Sequence, residues 1–184
     1  EAVRSSVQPK DMETGTPYVG LEHIPRKSLT LTEWGTSEDV DSQKARFRKG
    51  DILFGKLRPY FHKVAIAPTD GICSTDILVF RPLVQSHYAF VLNHLFSESL
   101  ISYVSGIADG TRMPRVDWRS VANYQIVIPP DDLLVEFNRI VRPFYTKLVN
   151  SIFETQNLAT LRDSLLPKLM RGEISVHSLP ETLN

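Results

Sequence analysis

The sequence predicts an α+β protein. A small domain on a mixed or antiparallel sheet spans residues 1–130, and a long C-terminal helix follows that projects partly beyond it and pairs as a coiled coil. Three observations predict this. Short apolar runs with tight turns fill the first half of the chain. Pro129-Pro130 ends the last extended run, because proline supplies no ladder donor. Beyond it, apolar residues recur every three or four positions, the spacing of a helix stripe.

In order, residues 1–16 are polar and aperiodic and are expected to form a loose leader. Pro17 to Leu21 predicts a short strand, with a turn at Glu22 to Arg26. Ser28 to Lys44 has loop composition with one aromatic, Trp34, and room for a brief strand at Leu29 to Leu31. Lys49-Gly50-Asp51 is a turn signal feeding a strand at Ile52 to Phe54. Strands are also expected at Lys63 to Ala67, at Ile72 to Phe80 and at Tyr124 to Ile128. A single helix is expected over Tyr88 to Tyr103, and a short one over Trp118 to Val121 capped by Asp117.

The last segment, 131–172, begins with Asp131 or Asp132 as the N-cap and ends at Arg171-Gly172, where glycine suits the position past a helix. Its stripe runs through Phe137, Val141, Phe144, Leu148, Ile152, Leu158 and Leu165, the residues expected to pair with another helix. From Asp132 to Met170 such a helix reaches roughly 58 Å at about 1.5 Å per residue. A compact domain of this size is only about 30–40 Å across, so part of the helix must project. Interior prolines bend helices, so Pro143 and Pro167 predict a kinked rod. The competing arrangement is two short helices folded back on their own domain. Residues 173–184 are expected to form a tail.

No apolar run approaches the ~20 residues of a membrane span, and no signal-peptide pattern is present. The single cysteine, Cys73, cannot form an internal disulfide; it fits a reducing cytoplasm and a core position. Net charge is zero, which taken globally argues against nucleic acid. The distribution argues otherwise. Residues 42–67 carry seven basic side chains against one acid, while residues 1–41 carry four against eight. A local field steers more than a sum does, although one solvated face explains the same charges.

Catalytic signals are thin. His23, His62, His87, His94 and His177 show no metal-ligand spacing, and no phosphate-binding glycine loop or nucleophile elbow occurs. Neither a catalytic residue nor a cofactor or metal site is therefore expected. Two segments do suit an anion. In Gly55 to Lys63, cations and aromatics alternate around Pro59: Lys56, Arg58, Tyr60 and Lys63. In Gly110 to Arg115, Thr111, Arg112 and Arg115 surround Met113-Pro114. Arginine binds phosphate bidentately or reads guanine in the major groove, and tyrosine stacks or donates. A solvated loop over packed aromatics is the plainer explanation for each. Together on one side of a small sheet they favour a duplex-binding surface, with these seven residues as its contacts.

Several runs carry a family likeness. They are Lys49-Gly50-Asp51-Ile52-Leu53-Phe54-Gly55-Lys56-Leu57-Arg58-Pro59-Tyr60, Asp70 to Val79, Gly110 to Arg115, Ile126 to Pro130 entering a helix, and the ending Leu161 to Ile174. In this order they resemble the DNA-specificity subunit of type I restriction-modification systems, from about Tyr18 to Ile174. The resemblance implies that residues 1–130 are a target-recognition domain reading one half of a split DNA sequence. It implies that 131–172 is a conserved spacer helix that docks the methyltransferase (modification) subunits. Family members carry two such domains and paired helices, so this chain matches half of one. It is expected to be a carboxy-terminal fragment, or a half-subunit pairing with its own copy. The implied partners are double-stranded DNA, the modification subunits and, through the complex, the restriction/translocase subunit, with catalysis left to those partners. The alternative from another class is a coiled-coil adaptor that binds protein and no DNA.

Overall fold

The computed structural model describes residues 1–174, so most of the expected tail, with His177, lies outside the described residues. Eight short strands precede four helices. The strands are β1 (Ser6–Val7), β2 (Pro17–Val19), β3 (Gly35–Thr36), β4 (Lys44–Phe47), β5 (Ile52–Gly55), β6 (Val64–Ile66), β7 (Gly71–Cys73) and β8 (Ile77–Phe80). The helices are α1 (Tyr88–Leu95), α2 (Glu98–Gly106), α3 (Trp118–Ala122) and α4 (Asp131–Met170). One sheet has the order β1-β4-β7-β2-β3 and the other β6-β5-β8. All neighbours are antiparallel except β2 and β7, which makes the larger sheet mixed.

The smaller sheet is the middle layer, and the two-residue period of a strand shows why. Ile52 and Phe54 of β5, Val64 and Ile66 of β6, and Phe80 of β8 enter one core with the helices. Leu53, Ala65, Ile77 and Val79 point the other way, into a second core with Val19, Phe47 and Cys73 of the larger sheet. Every residue of β5 is therefore buried, and its sequence shows no polar alternation. Gly71 allows the larger sheet to close up, since a Cβ there would stand 2.5 Å from the Pro17 carbonyl oxygen. Burial pushes the Cys73 thiol up to about 12, with the Asp51 charge adding to it. Native protein at pH 8 should leave Cys73 unlabelled by a disulfide-exchange reagent over hours, while urea-unfolded protein labels fully.

Several expectations are corrected. The leader is not loose: the Val3 N–H donates to the Val79 carbonyl at 2.8 Å, and β1 pairs with β4. Polar composition hid it because a two-residue edge strand needs only one buried side chain, here Val7. The expected strand Ile72 to Phe80 is two strands in different sheets. Ser74 makes the break, its hydroxyl accepting from the Asp76 N–H and its carbonyl from the Ile77 N–H. The helix expected over Tyr88 to Tyr103 divides at Ser97, whose side chain caps α2 by accepting from the Leu100 N–H. Tyr124 to Ile128 forms no strand, and Val127 is 87% exposed. Leu29 to Leu31 forms no strand either, although Leu31 is fully buried.

The long helix is a single element of 40 residues containing both prolines. Pro130 occupies its N-cap position and makes no side-chain bond; Asp131 and Asp132 fall in the first turn, where negative charge is favourable. At its far end the Gly172 N–H donates to the Leu169 carbonyl and the Glu173 N–H to the Lys168 carbonyl, with Gly172 at φ +72°. This is the two-bond glycine closure that Arg171-Gly172 predicts.

Between Leu134 and Gln156 one face of α4 lies on its own domain. Leu134, Val149 and Ile152 are buried, the Asn93 amide donates to the Tyr145 hydroxyl at 2.7 Å, and the Gln156 amide donates to the Thr32 carbonyl at 2.9 Å. From Asn157 onward the rod leaves the domain, and Leu158, Leu161, Leu165 and Leu166 are all exposed. A second apolar line runs along the same helix through Leu133, Phe137, Ile140 and Phe144 to Leu158, Leu165 and Leu169, all exposed. At roughly 100° per residue it sits about a third of a turn from the domain-facing line. The stripe expected from sequence crosses between the two. Phe137, Phe144, Leu158 and Leu165 belong to the free line, Val141 and Leu148 are half-buried at its edge, and Ile152, 4% exposed, faces the domain.

Candidate nucleic-acid interface

The structure divides the basic stretch 42–67 between the two ends of β5. Arg46, Arg48 and Lys49 precede it, and α4 passes nearby, with Arg142, Tyr145 and Val149 around Lys49 and Gly50. Lys56, Arg58 and Lys63 lie at the other end, where β5 stops and β6 begins.

There the two segments singled out from sequence meet. The Arg58 N–H donates to the Pro114 carbonyl at 2.7 Å, the Val116 N–H to the Lys56 carbonyl at 3.0 Å, and Leu57 bridges Arg115. The Arg58 guanidinium reaches the Arg112 carbonyl at 3.4 Å. The second loop closes on itself, with Asp109 and Arg115 exchanging backbone bonds of 2.9 and 2.8 Å around Gly110 at φ +100°. Thr111, Arg112 and Met113 stand exposed at its tip.

The first loop holds an uncommon backbone. Arg58 and His62 are both left-handed, at φ 50° and 51°, on either side of a 3₁₀ turn at Pro59–Phe61. For residues other than glycine this costs energy and persists only where the surroundings enforce it, as at binding loops. His62 is one enforcer. It is buried, and its Nε2 donates to the Phe96 carbonyl at 2.9 Å, with Nδ1 3.6 Å from the Glu98 carboxylate. Glu98 also takes a 2.9 Å bond from Lys27, and that bond, then the nearby His62, lowers its pKa. Held this way, the turn presents Tyr60, 52% exposed and edge-on to Phe61 at 4.8 Å between ring centres.

Three of the seven expected contacts are engaged within the chain, Arg58 through its bond to the Arg112 carbonyl. The Arg115 guanidinium grips the Asp76 carboxylate at 3.0 and 3.3 Å. The Lys63 ammonium donates to the Leu21 carbonyl, and burial followed by the nearby Arg26 guanidinium holds its pKa below the usual lysine range. Lys56, Tyr60, Thr111 and Arg112 make no side-chain hydrogen bond or ion pair among the described residues, which leaves their polar groups open to a partner. A cleft of about 680 Å³ runs beside the junction, walled by Lys56, Met113, Arg115 and Trp118. Sequence reasoning missed Arg26, whose guanidinium carbon lies 3.9 Å over the Phe61 ring. No motif or periodicity ties it to a loop more than thirty residues away; only the fold does.

Among the described residues no group of three histidine, cysteine or acidic side chains is placed to hold a metal ion. No helix there is long and apolar enough to cross a membrane.

No protein-family model matches the chain. Among characterised proteins it is 28% identical over 144 residues to the type I restriction enzyme EcoDI specificity subunit of Escherichia coli, covering 75% of this chain and 32% of that protein. It is 33% identical over 138 residues to the MjaIX specificity subunit of Methanocaldococcus jannaschii, covering 67% of this chain and again 32% of that one. Among solved structures, the HsdS subunit from Thermoanaerobacter tengcongensis superposes with a TM-score of 0.63 over 98% of this chain and 49% of that chain, at 22% identity. A structure describing complex assembly and conformational transition of the type I R-M system gives 0.62 over 100% of this chain and 48% of its counterpart, at 23% identity. At such identities the superpositions establish the fold, sheets and long helix together. By sequence and fold, the chain is a relative of the type I restriction enzyme specificity subunits, spanning about a third of the length of its sequence relatives and about half of its structural neighbours.

Proposed function

We propose that the chain is a noncatalytic DNA-binding specificity subunit, or part of one, that recognises one half of a bipartite duplex target. The observation that carries this reading is the meeting of two basic loops, about fifty residues apart in sequence, at the end of β5 away from the middle of α4. Lys56, Arg58 and Arg112, with Tyr60 and Thr111, supply phosphate grips and base-edge contacts in the major groove. Arg115 shapes its loop through the Asp76 carboxylate, while Lys63 commits one of its three protons to the Leu21 carbonyl. The exposed line of α4 meets a second helix, from another copy of this chain or from the other half of a longer one, and docks the methyltransferase subunits. Methylation and ATP-driven cleavage belong to those subunits and to the restriction/translocase subunit.

One such domain makes few contacts, so the assay uses the chain assembled with its modification subunits. Fluorescence anisotropy on duplexes selected from a randomised pool should give log K falling linearly with log salt, at about 0.9 per phosphate contact. Three contacts lower affinity at least tenfold between about 50 and 200 mM salt. Failure to select any duplex refutes the reading and favours the adaptor alternative, for which the exposed apolar line of α4 alone speaks.

A further inference from the structure

Beside the first basic loop, a pocket of about 200 Å³ has walls carrying Arg26, Arg58 and Lys63 against one acid, Glu22, with the Phe61 ring among its apolar lining. We propose that Arg26, Arg58 and Lys63 form a binding pocket for one backbone phosphate of duplex DNA at the edge of the recognition surface. The inference rests on the DNA-reading function proposed above, and adds to it a residue and a chemistry.

Three cations converge here on a single acid. Among the described residues none of the three is in an ion pair. The Glu22 carboxylate lies back over Gly20, so close that a Cβ on that glycine would stand 1.9 Å from its oxygen, and it is 4.0 Å from His23 Nδ1. Arg58 Nε is buried with no acceptor among the described residues. Lys63 gives one proton to the Leu21 carbonyl and keeps two more. Burial and then the Arg26 charge lower its pKa, against the opposing pull of the Glu22 carboxylate. A phosphodiester brings one negative charge and two free oxygens, which suit an arginine fork and an ammonium donor. The Phe61 ring fixes the Arg26 guanidinium from below, so little freedom is lost when it bonds. Tyr60 packs edge-on against the same ring, so an anchored phosphate sets the register of the duplex against that side chain.

Non-specific binding to a mixed-sequence duplex is enough to test this, because the phosphate term does not depend on sequence. In the assembled complex, Arg26→Gln should reduce the slope of log K against log salt by about 0.9, which is roughly a threefold smaller loss of affinity over a fourfold rise in salt. Arg26→Lys keeps the charge and should keep the slope, which separates charge from a purely structural role for the stacked guanidinium. Arg46→Gln, at the opposite end of β5, should leave the slope unchanged. An unaltered slope in Arg26→Gln together with unaltered inorganic phosphate binding, while wild-type duplex binding is intact, overturns the pocket and leaves the DNA-reading function standing. The same unaltered slope accompanied by loss of inorganic phosphate binding to the chain overturns the assignment to DNA. Absence of any salt-dependent duplex binding by the wild type overturns both.

Discussion

Replacing Leu158 and Leu165 together with glutamate should abolish helix pairing while leaving the domain folded. Both side chains lie on the free line of α4, 60% and 36% exposed in the single chain. Each leucine that a partner covers contributes about 1.5–3 kcal/mol, and a buried glutamate adds an unpaired charge. A combined loss of at least about 3 kcal/mol weakens association more than a hundredfold. Sedimentation should show the wild type as a dimer, or bound to its modification subunits, and the double variant as the lone chain with an unchanged melting temperature. Ile152→Ala supplies the contrast. That side chain packs on the chain's own domain, so truncating it should cost about 2–4 kcal/mol of stability, read as a lower urea midpoint. If the Leu158/Leu165 variant keeps the wild-type mass, the exposed line has another purpose.

Removing Arg58 and Arg112 together is the second large effect. Arg58 reaches the Arg112 carbonyl and its own N–H holds Pro114, so the two arginines sit on bonded loops and act on neighbouring parts of a ligand. An arginine that reads a guanine is worth about 1–3 kcal/mol of discrimination, and one that grips a phosphate about one unit of salt slope. The double alanine variant should therefore lose roughly 30-fold to 10⁴-fold in affinity for a selected duplex. Single variants then separate the roles: relaxed preference at one base pair marks a base contact, and a shallower salt slope with preference intact marks a phosphate contact. Because the Arg58 guanidinium supports the second loop, the two single losses should not add. Wild-type affinity in the double variant would remove the loop junction from the interface.

Much of this was legible in the chain. Lys49-Gly50-Asp51 announces β5, Asp117 caps α3 by accepting from the Ser120 N–H, and Gly172 closes α4, because each rests on local backbone chemistry. The two anion-suited loops were also legible, since alternating cations and aromatics around Pro59 mark a surface that does not bury well. What escaped depends on long-range pairing. Ser6–Val7 is a strand only because Lys44–Phe47 lies beside it, and Arg26 joins the site only because a turn brings it over Phe61. Ser74 and Ser97 looked like polar interruptions and are the hinge of two sheets and the cap of a helix. Along α4, spacings of three and four residues are shared by both apolar lines, so sequence alone could not assign Ile152 to the domain and Phe144 to the exposed line. The basic stretch 42–67 is likewise divided in space: the fold separates Arg46, Arg48 and Lys49 from Lys56, Arg58 and Lys63 by the length of a strand.

The most direct test is hydrogen–deuterium exchange of the assembled complex with and without a selected duplex. Bound DNA should slow exchange across residues 55–63 and 109–116 and leave residues 44–49 unchanged. Protection confined to 44–49, or absent from both loops, would contradict the assignment of that end of β5 to DNA.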